Sequence, residues 1–218
     1  KALGRAGTED KENDVDNDSN DSHIMTSPIE IEEKVDISDI VSVGYGFDIY
    51  DRDPLKLIDS QGKPRENHEV IYDVIIKEQP IHFEELCRRV APLYDRQKVT
   101  SVVRDEVNYI FRHQLKGSVT KNRSGFVSAT NFTDIRVRIP NPKDYYLRPI
   151  TYICKEELSM AMKIIVQNSF GITPEDLFIV TAREFGFKRT GDTRTKTLQQ
   201  VYKAMIKSGD IVEIDGKV

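Results

Sequence analysis

The sequence predicts a mostly α-helical α+β fold with small β-hairpins, and three observations predict it. Apolar residues recur at helical spacing in separate stretches, among them Val70, Ile71, Val74 and Ile75, and later Leu198, Val201, Met205 and Ile206. Short β-prone runs close on turn residues: Lys121-Asn122-Arg123-Ser124-Gly125 leads into Phe126-Val127-Ser128, and Asp215-Gly216 follows Ile211-Val212-Glu213-Ile214. The order helix, turn, helix, hairpin occurs twice. That order is the grammar of a winged helix-turn-helix, so the chain reads as two such units in tandem, over residues 67–139 and 150–218.

Residues 1–23 are a different material from the rest. Thr8 to Ser22 is almost entirely Asp, Glu, Asn, Ser and Lys, too poor in apolar groups to offset the entropy of ordering, and reads as an acidic disordered tail or linker. Residues 24–66 read as an extended connecting arm that packs on the first unit. The Gly44-x-Gly46 pair within it lacks the third glycine and the strand-to-helix setting of a nucleotide fingerprint.

In the first unit the Val70 stripe ends at Glu78-Gln79-Pro80, and Ile81-His82 is extended after the proline. Phe83 to Tyr94 is a surface helix with Phe83, Leu86 and Val90 facing in. A longer helix from about Arg96 to Leu115 carries Val99, Val102, Val103, Val107, Ile110 and Phe111 on one side, with Gly117 past its end. Ile135 to Pro140 alternates at period two and reads as a strand with an exposed basic edge; 140–149 is a linker rich in proline and tyrosine.

In the second unit Thr173-Pro174-Glu175-Asp176 is a helix start: a threonine N-cap, proline at the first helical position, and acids against the positive end of the helix dipole. That helix ends near Phe185-Gly186. A basic loop follows, and a second helix begins close to Thr193 and stops at Ser208-Gly209-Asp210.

Composition sets bounds on function. The 218 residues suffice for one or two domains that fold without staples. Cys87 and Cys154 are far apart in sequence and indicate no disulfide framework, which favours a reducing compartment and a cytoplasmic protein. No apolar run of membrane length and no signal peptide is evident, so no membrane partner is expected. The chain begins with Lys1 and reads as a piece of a longer protein. Its formal charge of −4 is unevenly spread: residues 1–40 hold 4 basic and 12 acidic side chains, leaving 28 basic against 24 acidic in the rest.

The local charge points to an anionic partner. Phe185 to Lys207 holds six cations and a single acid, Asp192. Lys188, Arg189, Arg194 and Lys196 crowd the turn and the start of the following helix, where basic residues oppose the dipole, and Lys203 lies farther along it. In the first unit the corresponding set is Arg96, Lys98 and Arg104 on the long helix, with Lys121 and Arg123 at the wing tip. Hairpin tips are exposed and often basic whatever they bind, so the first set is the weaker pointer. No catalytic residues are expected: His82 and Cys87 are five apart, on different faces of a helix, with no orienting third group. No Cys or His pair has zinc spacing, and neither metal nor cofactor is expected. Glu84-Glu85 and Glu156-Glu157 read as ordinary first-turn acids.

Pro80-Ile81-His82, Glu156, Leu158, Ala161 and Met162, Gly171-Ile172, Glu175-Asp176-Leu177 and, most specifically, Gly186-Phe187-Lys188-Arg189-Thr190-Gly191 resemble the C-terminal winged-helix-like module of very large bacterial superfamily-one helicase-like ATPases. Those proteins commonly carry a Vsr-like endonuclease domain just upstream. The resemblance covers about residues 65–218. It implies a bacterial parent protein whose ATP hydrolysis and DNA cleavage reside in other domains, which would be partners within the same polypeptide. These residues contain neither a Walker lysine loop nor a nuclease carboxylate set, so neither activity is implied for them. Two functions follow. The first is a DNA-binding accessory module holding duplex or a fork. The second is a protein-interaction or scaffolding module, in which a partner or a second copy docks on Tyr145, Tyr146 or the 135–139 strand.

Overall fold

Among the described residues the strands and α-helices follow in the order β1 (Asp48–Tyr50), α1 (Asn67–Glu78), β2 (Ile81–His82), α2 (Phe83–Val90), α3 (Ser101–His113), β3 (Val119–Lys121), β4 (Phe126–Ala129), β5 (Arg138–Pro140), α4 (Lys155–Gln167), α5 (Pro174–Glu184) and α6 (Asp192–Ser208), with 3-10 turns at Ala91–Tyr94 and Ile150–Tyr152. The structure, a computed structural model, describes residues 46–144 and 146–218; the acidic tail, the start of the connecting arm and Tyr145 lie outside them. The architecture is α+β, six helices with two small sheets among the described residues.

The helices start and stop for local reasons. Glu66 and Glu69 form a reciprocal capping box at the head of α1. The Nδ1 of His82 accepts the Glu84 N–H at the start of α2. Thr100 caps α3, its hydroxyl accepting the Val103 N–H. This cap corrects the expected boundary: the helix starts at Ser101, and residues 95–100 are a loop, because Asp95 adopts a left-handed φ of 54° that closes the preceding 3-10 turn.

After α3 the chain forms a hairpin. β4 lies between β2 and β3, antiparallel to both. Asn122 organises the turn, its Oδ1 accepting the N–H groups of Ser124 and Phe126. The second half repeats this order in reduced form. Ile172, between α4 and α5, exchanges two backbone hydrogen bonds with Val218, and Lys217 exchanges two with Ile214. The expected strand over Ile211–Ile214 is therefore a single bridge. Ile211 is turned into the core, and Glu213 accepts the Tyr202 hydroxyl of α6, which holds this stretch against the helix.

Two apolar clusters result. One gathers Ile71, Ile75, Leu86, Val90, Val103, Val107 and Val127. The other gathers Leu158, Met162, Leu177, Phe185, Leu198 and Met205, and it also takes in Phe47, Val137 and Ile139. The last three flank or belong to β1 and β5, which pair in parallel although 90 residues apart, Asp48 with Arg138 and Tyr50 with Pro140. The connecting arm thus packs with the second cluster as well as the first half.

A buried polar seam runs beside that strand pair. Glu157, at the first turn of α4, is fully buried, and Arg138 and Arg148 are nearly so. Arg148 donates to both Glu157 oxygens at 2.7 and 3.0 Å, and Arg138 donates to Oε2 at 2.8 Å. Arg138 also donates to the carbonyls of Glu78 and Pro80 in the first half, tying the halves together. Burial alone would push the Glu157 carboxyl up, but the Arg148 and Arg138 charges outweigh it and hold it below the usual carboxylate range. Glu85 is likewise buried, accepting from Arg88 and the Tyr146 hydroxyl, and Glu78 accepts from Tyr50 and Arg89.

These contacts correct one expectation: Arg138 lies inside the strand pair, not on an exposed basic edge. Glu85 and Glu157 stand in the first turns of their helices as expected, and each is in addition a buried ion-pair member. Val137, Arg138, Ile139 and the Tyr146 hydroxyl are engaged internally, while Arg136 of the same stretch is exposed and Tyr145 lies outside the described residues.

Candidate nucleic-acid interface

Thr173 caps α5 by accepting the Asp176 N–H, and Pro174 fills the first helical position. The helix ends in a Schellman pair: Phe187 N–H donates to the Ala182 carbonyl and Gly186 N–H to the Arg183 carbonyl. Gly186 has a φ of +81°, and a Cβ there would lie 2.6 Å from Leu147 and 2.8 Å from Pro140. Glycine is required at this position both by the left-handed backbone and by the close approach of the 140–149 segment. The basic loop therefore leaves α5 in a fixed direction, anchored by buried Phe185 and Phe187.

Lys188 and Arg189 are exposed in that loop. Arg194, in the first turn of α6, folds back: its guanidinium lies 4.6 Å from the Phe187 ring centre and donates to the Arg189 carbonyl at 2.7 Å. It braces the loop and is only half-exposed. Gly191 is the N-cap of α6 and supplies no side-chain cap.

Beyond this point α6 presents two faces. Leu198, Val201, Tyr202 and Met205 are buried. Lys196, Gln199, Gln200, Lys203 and Lys207 are exposed, and from Thr193 to Lys207 no acid interrupts them. Lys196 to Lys207 spans about 16 Å at 1.5 Å per residue. The structure thus brings Lys196 and Lys203 onto one face, with Lys188 and Arg189 in the loop at its start. Sequence reasoning passed over Gln199 and Gln200, although the acid-free run and their helical spacing were enough to find them; amides on such a face can reach base edges.

The cations of the first half are arranged differently. Arg96 and Lys98 are exposed on the loop before α3, not on the helix. Arg104 is committed to Glu84 by two hydrogen bonds of 2.8 and 2.9 Å. Lys121 sits 4.0 Å over the Phe83 ring and 3.4 Å from the Asn108 amide oxygen, while Arg123 is exposed at the hairpin tip. The exposed side of α3 carries Asp105 and Glu106 in place of a cationic row.

The remaining polar candidates have structural partners. His82 stacks on Tyr152 with ring centres 4.2 Å apart, and burial lowers its pKa, keeping the ring neutral near pH 7. Burial pushes the Cys87 and Cys154 thiols up to about 12, so thiolate is negligible at neutral pH. Among the described residues no cluster of His, Cys, Asp and Glu could hold a metal ion, and no helix is long and apolar enough to cross a membrane. Family models, curated proteins and solved structures give no match to this chain.

Proposed function

We propose that the chain is a tandem winged helix-turn-helix module that binds DNA, duplex or fork, through the exposed face of α6 and the loop before it. The observation that carries this reading is the acid-free row of Lys196, Lys203 and Lys207 with Gln199 and Gln200 between them, on the helix that follows the turn. Lys188, Arg189 and Lys196 gather at the positive end of that helix, where an anion is favoured by both the dipole and the side-chain charges. Three helices in each half, followed by a hairpin after α3 and by the single Ile214–Lys217 bridge after α6, support the architecture. The module makes no chemistry of its own in this reading. It positions DNA for an ATP-dependent helicase or nuclease in the same bacterial, cytoplasmic polypeptide, as the sequence resemblance implies.

The test is fluorescence anisotropy of the chain with duplex, forked and single-stranded DNA over a salt series. Alanine at Lys196, Lys203 and Lys207 together should flatten the plot of log affinity against log salt by about 2.7, at about 0.9 for each phosphate no longer neutralised, and should weaken all sequences alike. Binding that is unchanged in the triple variant would remove α6 from the interface. No binding by the parent chain to any of the three DNAs would favour the protein-interaction reading, to which the acidic exposed side of α3 already points.

A further inference from the structure

The helix in the first half that corresponds in order to α6 has a surface of another kind. Val102 is 50% exposed and Tyr109 54% exposed, seven residues apart on one line of α3, so two large side chains are held out to solvent on a rigid element. Tyr109 and His113 lie against each other, with ring centres 4.4 Å apart, and form an aromatic platform in the middle of the face. Asp105 and Glu106 flank this line on the N-terminal side of Tyr109, and Arg112 and His113 flank it on the C-terminal side; Asp105, Glu106, Arg112 and His113 are all exposed.

The spacing of those side chains is self-complementary. Residues seven apart share a flank of a helix, so Asp105 lies on the same flank as Arg112, and Glu106 on the same flank as His113. In an antiparallel pair of identical helices related by a two-fold axis through Tyr109, each flank meets its own reverse. Asp105 then faces Arg112 of the other copy, Glu106 faces His113, and the two Tyr109 rings meet at the axis. A parallel pairing would set acids against acids at one height. Arg104, the remaining cation of α3, is held by Glu84 and takes no part.

We infer that α3 is an interaction surface for a second copy of this chain, forming an isologous antiparallel helix pair centred on Tyr109. The contact spans about 16 Å of helix from Val102 to His113 and, as one helix on one helix, buries less than the roughly 1,600 Å² of standard complexes. The dimer is accordingly weak and favoured by low salt.

Sedimentation velocity of the chain from about 10 µM to about 500 µM at low salt tests this, a range in which a weak dimer changes from minor to dominant species. The parent chain should shift from monomer toward dimer. Asp105→Arg and Arg112→Asp, each on an exposed side chain, should each raise the dimer dissociation constant at least tenfold. The double reversal should return it to within about threefold of the parent, because the same two-fold axis then pairs the swapped charges. A parent chain that stays monomeric throughout overturns the inference. So do single reversals that leave the dimer intact, or a double variant with parental circular dichroism that fails to regain it.

Discussion

Glu157 carries one negative charge for two buried guanidinium groups, and removing it leaves Arg138 and Arg148 in the seam without their common acceptor. Glu157→Gln should cost about 3–5 kcal/mol, the range for breaking a buried ion pair, read as a lower urea midpoint at an unchanged slope. The sign of the pH dependence follows from the lowered folded pKa. The contribution of Glu157 is fully present above its unfolded value, near 4.5, and is lost as pH falls through the folded value. The Gln variant should lack that part of the acid limb. Nothing in the local sequence distinguishes Glu157 from Glu156: on a helix neighbours point about 100° apart, and which one enters the seam depends on Arg138, 19 residues earlier. The burial of these acids was therefore illegible.

At the scale of elements, α3 and α6 are each the third helix of their half yet differ in charge, α6 lined with lysine and glutamine, α3 with aspartate and glutamate around tyrosine. Gly191 offers a test specific to α6. Its φ of −78° suits any residue, and a Cβ there would meet nothing within 4 Å, so the fold has no steric need of glycine. Gly191→Asp should supply the missing N-cap and raise stability by a few tenths of a kcal/mol. In the DNA-binding reading it should also weaken DNA binding several-fold by placing an acid beside Lys188, Arg189 and Lys196. A stabilised variant with parental affinity would mean that the loop does not meet DNA. The α6 face was legible because an acid-free run with helical spacing is a local signal. The start of α3 was misplaced because periodicity runs smoothly through Val99, and only the Thr100 cap and the left-handed Asp95 mark the true boundary.

For the molecule as a whole, the two helical clusters share a seam in place of a free linker. Arg138 donates to carbonyls of the first half and to Glu157 of the second, Tyr50 of β1 donates to Glu78, and Tyr146 to Glu85. Denaturation should accordingly show one transition, with far-ultraviolet circular dichroism and tyrosine fluorescence coinciding. Two separated transitions would show that the seam does not couple the halves. The sequence carried the order of the helices and the first hairpin, since each is set by local spacing and caps, but not the second hairpin, which is reduced to the Ile214–Lys217 bridge. It did not carry the closeness of the halves, because that rests on pairings such as Asp48 with Arg138 that join residues 90 apart.

The parallel pairing of β1 with β5 also has a mechanical side. The chain enters β1 from its N-terminal end, while the path onward to α6 leaves from the C-terminal end of β5. Tension between the segment before Gly46 and a load gripped at α6 would pull these two strands in opposite directions along their length. The rungs between them would be loaded together in shear, not opened one after another. A pull applied at that end would reach α6 without first unzipping the strand pair.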